Sequence, residues 1–228
     1  MPLRIAAVGF RHGHILSFIA RARELDYCEL VGVVEESDDS SLLERAGVER
    51  THATFDELLE DVECDVVATA EYYGKRGALI IKALEHGKHV ICDKPMCVSI
   101  AELERIKQLC DEKGLEISMQ LSMRFVALYQ TMRSVIQDGE IGEFLAASLS
   151  GQHPLGYGTT RPSWYFEPGK HGGTINDIFI HGADMLRYCT GHEFEQVIAA
   201  ETWNESLPEV PFFQVGAQCM MKMTGGAR

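Results

Sequence analysis

The sequence predicts a doubly wound parallel α/β domain followed by an α+β domain with an open, mainly antiparallel sheet. Short apolar segments alternate with amphipathic segments through about the first 122 residues, and such alternation is typical of a parallel sheet. The alternation then stops at a long loop rich in glycine, proline and aromatic residues, and two long strand-like segments complete the chain. We therefore predict one domain over residues 1–122 and a second over residues 123–228.

The elements of the first domain follow one another at short intervals. Each predicted strand is an apolar run, and the five runs cover residues 3–9, 29–34, 65–69, 88–92 and 115–119. The predicted helices cover residues 15–22, 41–46, 55–59, 75–86 and 99–110. The last of them begins at Ser99, and Glu102 is placed for a capping box. Right-handed crossovers follow from this topology.

The second domain has fewer and longer elements. We expect helices at 124–137 and 174–188, and strands at 144–150, 196–203 and 212–223. The glycine pair Gly225-Gly226 after the last strand is typical of a hairpin turn, but no returning strand follows it. We therefore expect a shortened domain with an unfinished sheet edge. Either this edge pairs with another chain, which would make the protein a homo-oligomer, or the second domain is poorly stable while the first stays intact.

Composition excludes several classes of protein. A net charge of −13 argues against a nucleic-acid surface, and no apolar stretch is long enough for a membrane span. The start, Met1-Pro2-Leu3-Arg4-Ile5, lacks a signal-peptide pattern. The seven cysteines are scattered without any Cys-x-x-Cys pair, which predicts reduced thiols in a cytoplasmic protein.

The turn after the first strand has part of a dinucleotide-binding pattern. Of the three positions in G-x-G-x-x-G only Gly9 matches, because Arg11 and His14 stand at the other two. A helix N-terminus attracts phosphate by itself, and Arg11 could add a guanidinium group. The alternative is that Arg11 blocks the site. We predict cofactor contacts from Gly9, Phe10, Arg11 and His12.

Glu35 lies about twenty residues beyond the turn, where an acidic side chain holds the ribose hydroxyls of a dinucleotide. Glu36 follows it, and no arginine is adjacent in the sequence to accept a 2′-phosphate. This favours NAD over NADP. The alternative is an ordinary solvated acid at the end of a strand.

Asp93-Lys94-Pro95 directly follows a buried strand. Proline restricts its own backbone and that of the preceding residue, so Lys94 is held at the edge of the sheet where ligands bind. The alternative is a solvated lysine in a turn.

In the second domain, Asp177 and His181 are four residues apart and would share one helix face. A histidine there can move a proton during chemistry. Alternatively, Thr174 and Asp177 cap the helix and His181 is a core residue.

Several motifs together resemble those of the Gfo/Idh/MocA oxidoreductases, the relatives of glucose-fructose oxidoreductase and inositol dehydrogenase. Asp93-Lys94-Pro95 is similar to their Glu-Lys-Pro motif, and the run from Gly172 to His181 is similar to their G-G-x-x-x-D-x-x-x-H motif. Further matches are Met123-Arg124-Phe125, Gly139-Glu140-Ile141-Gly142, His153-Pro154-Leu155 and Arg161-Pro162-Ser163-Trp164. The sequence departs from the family at the degraded glycine turn, at Asp93 in place of glutamate, and at Ala70 to Lys75, where relatives often have a proline and a later histidine.

The resemblance implies a Rossmann-type first domain and an NAD-dependent oxidoreductase acting on a secondary hydroxyl of a sugar, cyclic polyol or sugar derivative. Lys94, Asp177 and His181 would be catalytic. Thr69, Ala70, Asp93, Lys94 and Pro95 would contact the cofactor, and Arg124, His153 and Trp164 would bind substrate. Trp164 suits stacking on a sugar face, or it is a core residue. A metal at His153, Asp177 and His181 lacks a recognised ligand spacing, so none is predicted. Alternative functions are transient oxidation that drives elimination or glycoside cleavage, and a non-catalytic ligand sensor on the same fold.

Overall fold

A computed structural model describes residues 1–227 of the 228-residue chain. The chain divides into two compact units, Met1–Gln120 and Leu121–Arg228. The first unit contains the segments predicted to bind a dinucleotide, and the second contains the Gly172 to His181 run.

The first unit is a five-stranded parallel sheet with helices in its connections. In chain order its elements are β1 (Leu3–Phe10), α1 (His14–Glu24), β2 (Cys28–Val34), α2 (Ser41–Ala46), α3 (Phe55–Asp61), β3 (Val66–Ala70), α4 (Tyr73–Glu85), β4 (His89–Cys92), α5 (Ile100–Lys113) and β5 (Ile117–Met119). The strand order is β2-β1-β3-β4-β5, with every neighbouring pair parallel. The predicted α/β class is therefore confirmed.

Both faces of this sheet are buried, as its connectivity requires. Successive residues of a strand point to opposite faces. Accordingly, Ala6 and Val8 of β1 pack in the cluster that holds residues of α3, α4 and α5, whereas Ala7 packs with Ile15 and Ile19 of α1. Strands covered on both sides are continuous apolar runs, which is why the sequence located them correctly.

The helix caps differ in one respect from the prediction. The hydroxyl of Ser99 accepts a hydrogen bond from the Glu102 backbone N–H at 3.4 Å, as expected for an N-cap. The Glu102 carboxylate, however, lies against Gly77, where an added Cβ would stand 2.3 Å from Oε2. The reciprocal capping box forms instead between Thr54 and Glu57 at the start of α3. Glu102 therefore packs α5 against α4.

The second unit contains two longer helices and one two-stranded sheet. Its elements are a 3₁₀ turn (Ser122–Phe125), α6 (Ala127–Gln137), a second 3₁₀ turn (Ser163–Phe166), a π-helical turn (Ile175–Phe179), α7 (Ile180–Thr190), β6 (Phe194–Trp203), β7 (Gly216–Met223) and a last 3₁₀ turn (Thr224–Gly226). β6 and β7 pair antiparallel. The apolar side chains Val197, Ile198, Trp203 and Met220 of this sheet are exposed.

One strand prediction in this unit was wrong, and another placed the start of its strand too early. Residues 144–150 form no strand, and Leu145 and Leu149 are exposed rather than packed in a sheet. The last strand begins at Gly216 instead of residue 212. The residues before it form a turn in which Leu207, Val210 and Phe213 are buried against one another. Apolar residues that the sequence assigned to a strand thus pack in a local cluster instead. Hydrophobic periodicity alone does not distinguish a strand from another short buried segment.

No helix among residues 1–227 is both long enough and apolar enough to cross a membrane.

An ion pair at the start of β1 predicts part of the acid sensitivity of the fold. Asp65 accepts hydrogen bonds from the backbone N, Nε and Nη2 of Arg4 at 2.8, 3.2 and 2.8 Å, and these bonds lower the pKa of Asp65 to about 2. The ordinary pKa of aspartate is about 3.9. The stabilisation is therefore present above about pH 4 and is lost as the pH falls toward 2. In Asp65→Asn, the urea midpoint should fall less between pH 5 and pH 2 than in the unaltered protein. If the urea midpoint depends equally on pH in both proteins, the ion pair of Asp65 with Arg4 does not account for the acid sensitivity. The difference should be small, since both side chains are partly exposed.

Candidate functional site

The first unit has a polar cluster at the carboxyl ends of β1 and β3, where the order of strands reverses. In parallel sheets, ligands bind in the crevice at such a point. The turn after β1 is fixed there, because the backbone N–H groups of Arg11 and His12 both donate to the carbonyl of Ala70 at 3.1 Å. Gly9 has φ = +75°, and an added Cβ would lie 2.8 Å from Cβ of Glu71. Only glycine fits at this first position of the pattern.

Arg11 and Glu35 form a buried ion pair beside this turn. Nη2 of Arg11 lies 2.5 Å from Oε2 of Glu35, and both side chains are almost fully buried. The Glu35 carboxylate also accepts hydrogen bonds from the backbone N–H groups of Phe10 at 2.7 Å and Ser37 at 2.8 Å. Glu35 is therefore not a solvated acid. The sequence placed no arginine near it, yet the fold brings Arg11 across the turn to its carboxylate.

Glu71, directly after β3, adds a partly buried acid to this edge. Its Oε1 accepts a hydrogen bond from the Tyr72 backbone N–H at 2.8 Å. Burial raises the pKa of Glu71 above its ordinary value and outweighs that hydrogen bond, and nearby Glu35 raises it further. The guanidinium of Arg11 lies 5.7 Å from the centroid of the Tyr72 ring. The turn is therefore lined by charged groups as well as by backbone amides.

Asp93-Lys94-Pro95 is held rigidly at the end of β4. The Asp93 backbone N–H donates to the Thr69 carbonyl at 2.9 Å. Nη1 of the fully buried Arg76 donates to the carbonyls of Asp93 and Pro95 at 2.9 and 2.6 Å. The Lys94–Pro95 peptide is cis. Lys94 is only 2% exposed, with Nζ 5.8 Å from the centroid of the Tyr73 ring, so the alternative of a solvated lysine is wrong.

The Asp93 side chain gathers two histidines from the β1–α1 turn. Its Oδ2 lies 2.6 Å from Nδ1 of His12, and its Oδ1 lies 2.7 Å from Nδ1 of His14. Burial by itself raises the pKa of Asp93, but its contacts with His12 and His14 and the charge of Arg76 outweigh burial and hold that pKa well below its ordinary value. Burial also lowers the pKa of His12. Sequence reasoning missed this cluster, and the available signal was the His-x-His spacing around Gly13.

In the second unit, the predicted catalytic aspartate lies in a π-helical turn. Such turns are rare and frequently occur at functional sites. Gly172 and Gly173, with φ = +88° and +90°, lead into this turn, and the Asp177 backbone N–H donates to the Gly173 carbonyl at 3.2 Å. The capping interpretation of Thr174 and Asp177 was wrong, because the Thr174 hydroxyl donates to the carbonyls of Gln214 and Val215 instead.

Two histidines flank the carboxylate of Asp177, a residue that is 4% exposed. Nδ1 of His153 and Nε2 of His171 lie 3.4 and 3.6 Å from Oδ2 of Asp177. His171 was not predicted. Its Nδ1 accepts a hydrogen bond from the Gly173 backbone N–H at 3.2 Å, so the proton of a neutral ring lies on Nε2, which faces Asp177. The position of His171 immediately before the glycine pair was the available signal.

A pocket of about 560 Å³ adjoins these residues within the second unit. Its lining includes His153, Thr174, His181 and Trp203. A volume of this size suits a small-molecule ligand. The structure therefore brings together His153 and His181, both predicted from the sequence, and adds Trp203, which was not predicted.

The other two predicted substrate residues have structural partners. Arg124 binds Asp184 through two nitrogens, with Nε 2.9 Å from Oδ2 and Nη2 close to Oδ1. Trp164 is 4% exposed and packs against Tyr165, with ring centroids 4.3 Å apart. These contacts favour the core interpretation of Trp164.

The first unit fits the phosphate groups of a dinucleotide better than it fits the ribose. Gly9 forms the required tight turn. A Cβ added to Gly13 would meet no described atom within 4 Å apart from those of its chain neighbours and the adjoining helix backbone, which leaves space at the start of α1. A helix start with such space accommodates an anion. Glu35, by contrast, already accepts hydrogen bonds from three groups, so it has little remaining capacity for the ribose hydroxyls.

Comparison with known protein families gives a match over both units. The model described as "Oxidoreductase family, NAD-binding Rossmann fold" matches residues 3–121, which is more than half of the chain. The model described as "GFO/IDH/MocA C-terminal domain" matches residues 129–228.

Individual relatives are similar at modest identity. Myo-inositol 2-dehydrogenase of Thermotoga maritima is 26% identical, and the match spans 73% of this chain and 48% of that protein. Glucose-6-phosphate 3-dehydrogenase of Bacillus subtilis is 27% identical over 80% of this chain and 51% of that protein. The 2,7-anhydro-N-acetylneuraminate hydratase of Mediterraneibacter gnavus is 28% identical, over 77% and 46% respectively. The chain thus spans about half the length of the curated relatives it matches.

Among solved structures, myo-inositol 2-dehydrogenase from Lactobacillus plantarum superposes with a TM-score of 0.79 at 21% identity, over the whole of this chain and 68% of that one. At that identity the likeness establishes the fold alone.

Proposed function

The chain belongs to the Gfo/Idh/MocA oxidoreductase family, and we propose that it acts as an NAD(P)-dependent dehydrogenase. In this proposal a hydride passes between nicotinamide and a secondary hydroxyl of a sugar, cyclic polyol or sugar derivative. The observation that carries the proposal is the buried Asp177 carboxylate between His153 and His171, beside a pocket lined by His181. Oxidation of an alcohol needs a group that accepts the hydroxyl proton, and a histidine in a pocket suits that role.

The roles of the residues follow from their chemistry. His181 would accept the substrate hydroxyl proton, and Asp177 would stabilise charge on the histidines around it. Lys94 is a buried cation on a rigid backbone, which suits donation of a hydrogen bond to a substrate oxygen. A bound nicotinamide supplies the hydride acceptor. The turn from Gly9 to His14, at the start of α1, would bind the phosphates of the dinucleotide.

A nucleotide titration tests this proposal. We expect NADH fluorescence to change on addition of the protein, and the melting temperature of the protein to rise with NAD(H), since a ligand that binds only the folded state stabilises it. The cofactor preference is part of the test. We propose NAD over NADP because Glu35 and Glu36 disfavour a 2′-phosphate, although Arg11 offsets the charge of Glu35. Binding of neither nucleotide would favour the non-catalytic sensor on this fold.

Arg11→Gly restores the second glycine of the dinucleotide pattern and removes the ion pair with Glu35. We expect it to strengthen NADH binding about tenfold or more, because backbone approach to the phosphates is regained and the Glu35 carboxylate becomes available to ribose. Fluorescence titration measures the change. Arg21→Gly, an exposed arginine of α1, is a control for loss of charge. Weaker binding in Arg11→Gly would instead show that the guanidinium contacts the nucleotide.

A second candidate function has one observation in its favour. A relative of similar identity is named as a hydratase rather than a dehydrogenase. Transient oxidation that drives elimination would use the same residues, with the cofactor regenerated in each turnover. Product analysis distinguishes the two, because only net dehydrogenation accumulates NAD(P)H.

We also propose that the protein is a cytoplasmic homo-oligomer. Its seven cysteines all lie unbridged in the described residues, which suits a reducing compartment. The exposed apolar side chains of β6 and β7 would form the subunit contact. Light scattering of Val197→Lys should show smaller particles than the unaltered protein.

A further inference from the structure

The cluster formed by His12, His14 and Asp93 has more polar groups converging on one point than a dinucleotide turn requires. The two imidazole rings flank Gly13, with centroids 4.5 Å apart and planes at 88°. One potential ligand atom from each of the three residues lies within 4.8 Å of the others. Two imidazoles and one carboxylate are a ligand set that binds divalent transition metals.

The contacts within the cluster are close without all being hydrogen bonds. Nδ1 of His12 and Oδ2 of Asp93 are buried and 2.6 Å apart, yet among the described residues neither atom has a hydrogen-bond partner of acceptable geometry. Nδ1 of His14 lies 2.7 Å from the other carboxylate oxygen. Buried polar atoms without a partner are costly and call for an explanation.

A metal ion would account for this arrangement with little movement. Metal–ligand distances of about 2.0–2.2 Å place neighbouring ligand atoms about 2.9–3.4 Å apart. His12 and His14 contact different oxygens of Asp93, Oδ2 at 2.6 Å and Oδ1 at 2.7 Å, so an ion held by both carboxylate oxygens would reach both rings if each separation opened by less than about 1 Å. His14 is partly exposed, so a side-chain rotation toward solvent provides that movement.

We propose that His12, His14 and Asp93 form a binding site for a divalent first-row transition metal ion, with at least one coordination position open to solvent or to an oxygen of a bound ligand. The Asp93 carboxylate is fixed for this task by the Lys94 backbone N–H, which donates to Oδ1 at 2.7 Å. Nη2 of Arg76, 3.5 Å from Oδ2, opposes a cation. We therefore expect micromolar rather than structural-zinc affinity.

Cobalt(II) and zinc(II) titrations test the proposal on the untagged full chain. One equivalent of cobalt should bind with visible absorption bands typical of four or five ligands, and zinc should displace it. His14→Gln should weaken binding by at least about tenfold, since the loss of a group that merely hydrogen-bonds to a metal ligand already costs about 10–100-fold. His86→Gln should bind cobalt like the unaltered protein, because Nδ1 of His86 donates to the Lys82 carbonyl at the end of its own helix.

Asp93→Asn provides a second variant of the same shape and should also lose the cobalt bands. His14→Gln keeps the test valid if Asp93→Asn does not fold, because His14 is partly exposed and its replacement leaves the core intact. Absence of cobalt binding to the unaltered protein would overturn the proposal. So would binding that His14→Gln leaves unchanged, because the metal would then lie elsewhere.

Discussion

Replacement of His181 by glutamine is expected to lower kcat by about 10²–10⁴-fold, the usual contribution of a positioned proton-transfer group. Glutamine keeps much of the size and the hydrogen-bonding capacity of histidine but does not titrate near neutral pH. His181 lines the pocket beside the buried Asp177. Steady-state NADH formation measures the effect, with inositols and sugars as a substrate panel. Lys94→Met retains most of the volume of the buried lysine, and we expect it to lower kcat by a similar factor.

Matched variants separate a chemical role from a structural one. His192 lies in the same unit as His181 but does not line the pocket, so His192→Gln should retain activity. Lys107→Met removes an exposed lysine of α5 and should do the same. Melting temperatures and nucleotide affinities should be close to those of the unaltered protein in all four variants. Full activity in His181→Gln would reject its role as the base, whereas loss of folding would support the core-histidine alternative.

Arg76→Met should destabilise the protein by about 3–5 kcal/mol, the cost of breaking a buried ion pair by removing one partner. Arg76 is fully buried and donates to the carbonyls of Glu71, Asp93 and Pro95 at 2.7, 2.9 and 2.6 Å. Methionine fills part of the space but leaves these carbonyls unsatisfied and the Asp93 carboxylate without its cation. Urea unfolding measures the free energy directly.

Arg105→Met is the control for Arg76, because it removes an arginine that is partly exposed and paired with Glu85. Surface ion pairs contribute about 0–1 kcal/mol. If Arg76→Met lowers the free energy of unfolding no more than Arg105→Met does, water must replace the guanidinium group as the partner of these carbonyls. If the predicted loss is found, nucleotide binding should weaken as well, since the same arginine fixes the Asp93 to Pro95 backbone.

The sequence identified the architecture of the first unit because its signals are local and repeated. Each strand is an apolar run, and the positions of the five strands agree with the structure to within about two residues. The same reasoning failed at residues 144–150, which have the composition of a strand but no neighbouring strand to pair with in the described structure. Strand formation depends on a partner, which a single segment does not reveal.

The side-chain partners in the site depended on tertiary structure. The sequence selected Asp93, Lys94, Asp177 and His181, because proline restriction and helical spacing are local properties. The fold then decided which groups lie beside them. It placed His12 and His14 on Asp93 from a turn about eighty residues earlier, and it placed His171 on Asp177.

For this protein, the sequence by itself determined the α/β class, the family resemblance and the two motif segments. Only the tertiary structure decided which charges are neutralised. Glu35 appeared in the sequence as a free acid for ribose, and the folded chain pairs it with Arg11 in a buried contact of 2.5 Å. The physical reason is that parallel strands bring their carboxyl ends to one edge. Two residues that are 24 positions apart in the sequence thereby become neighbours, at a place where little water remains to screen their charges.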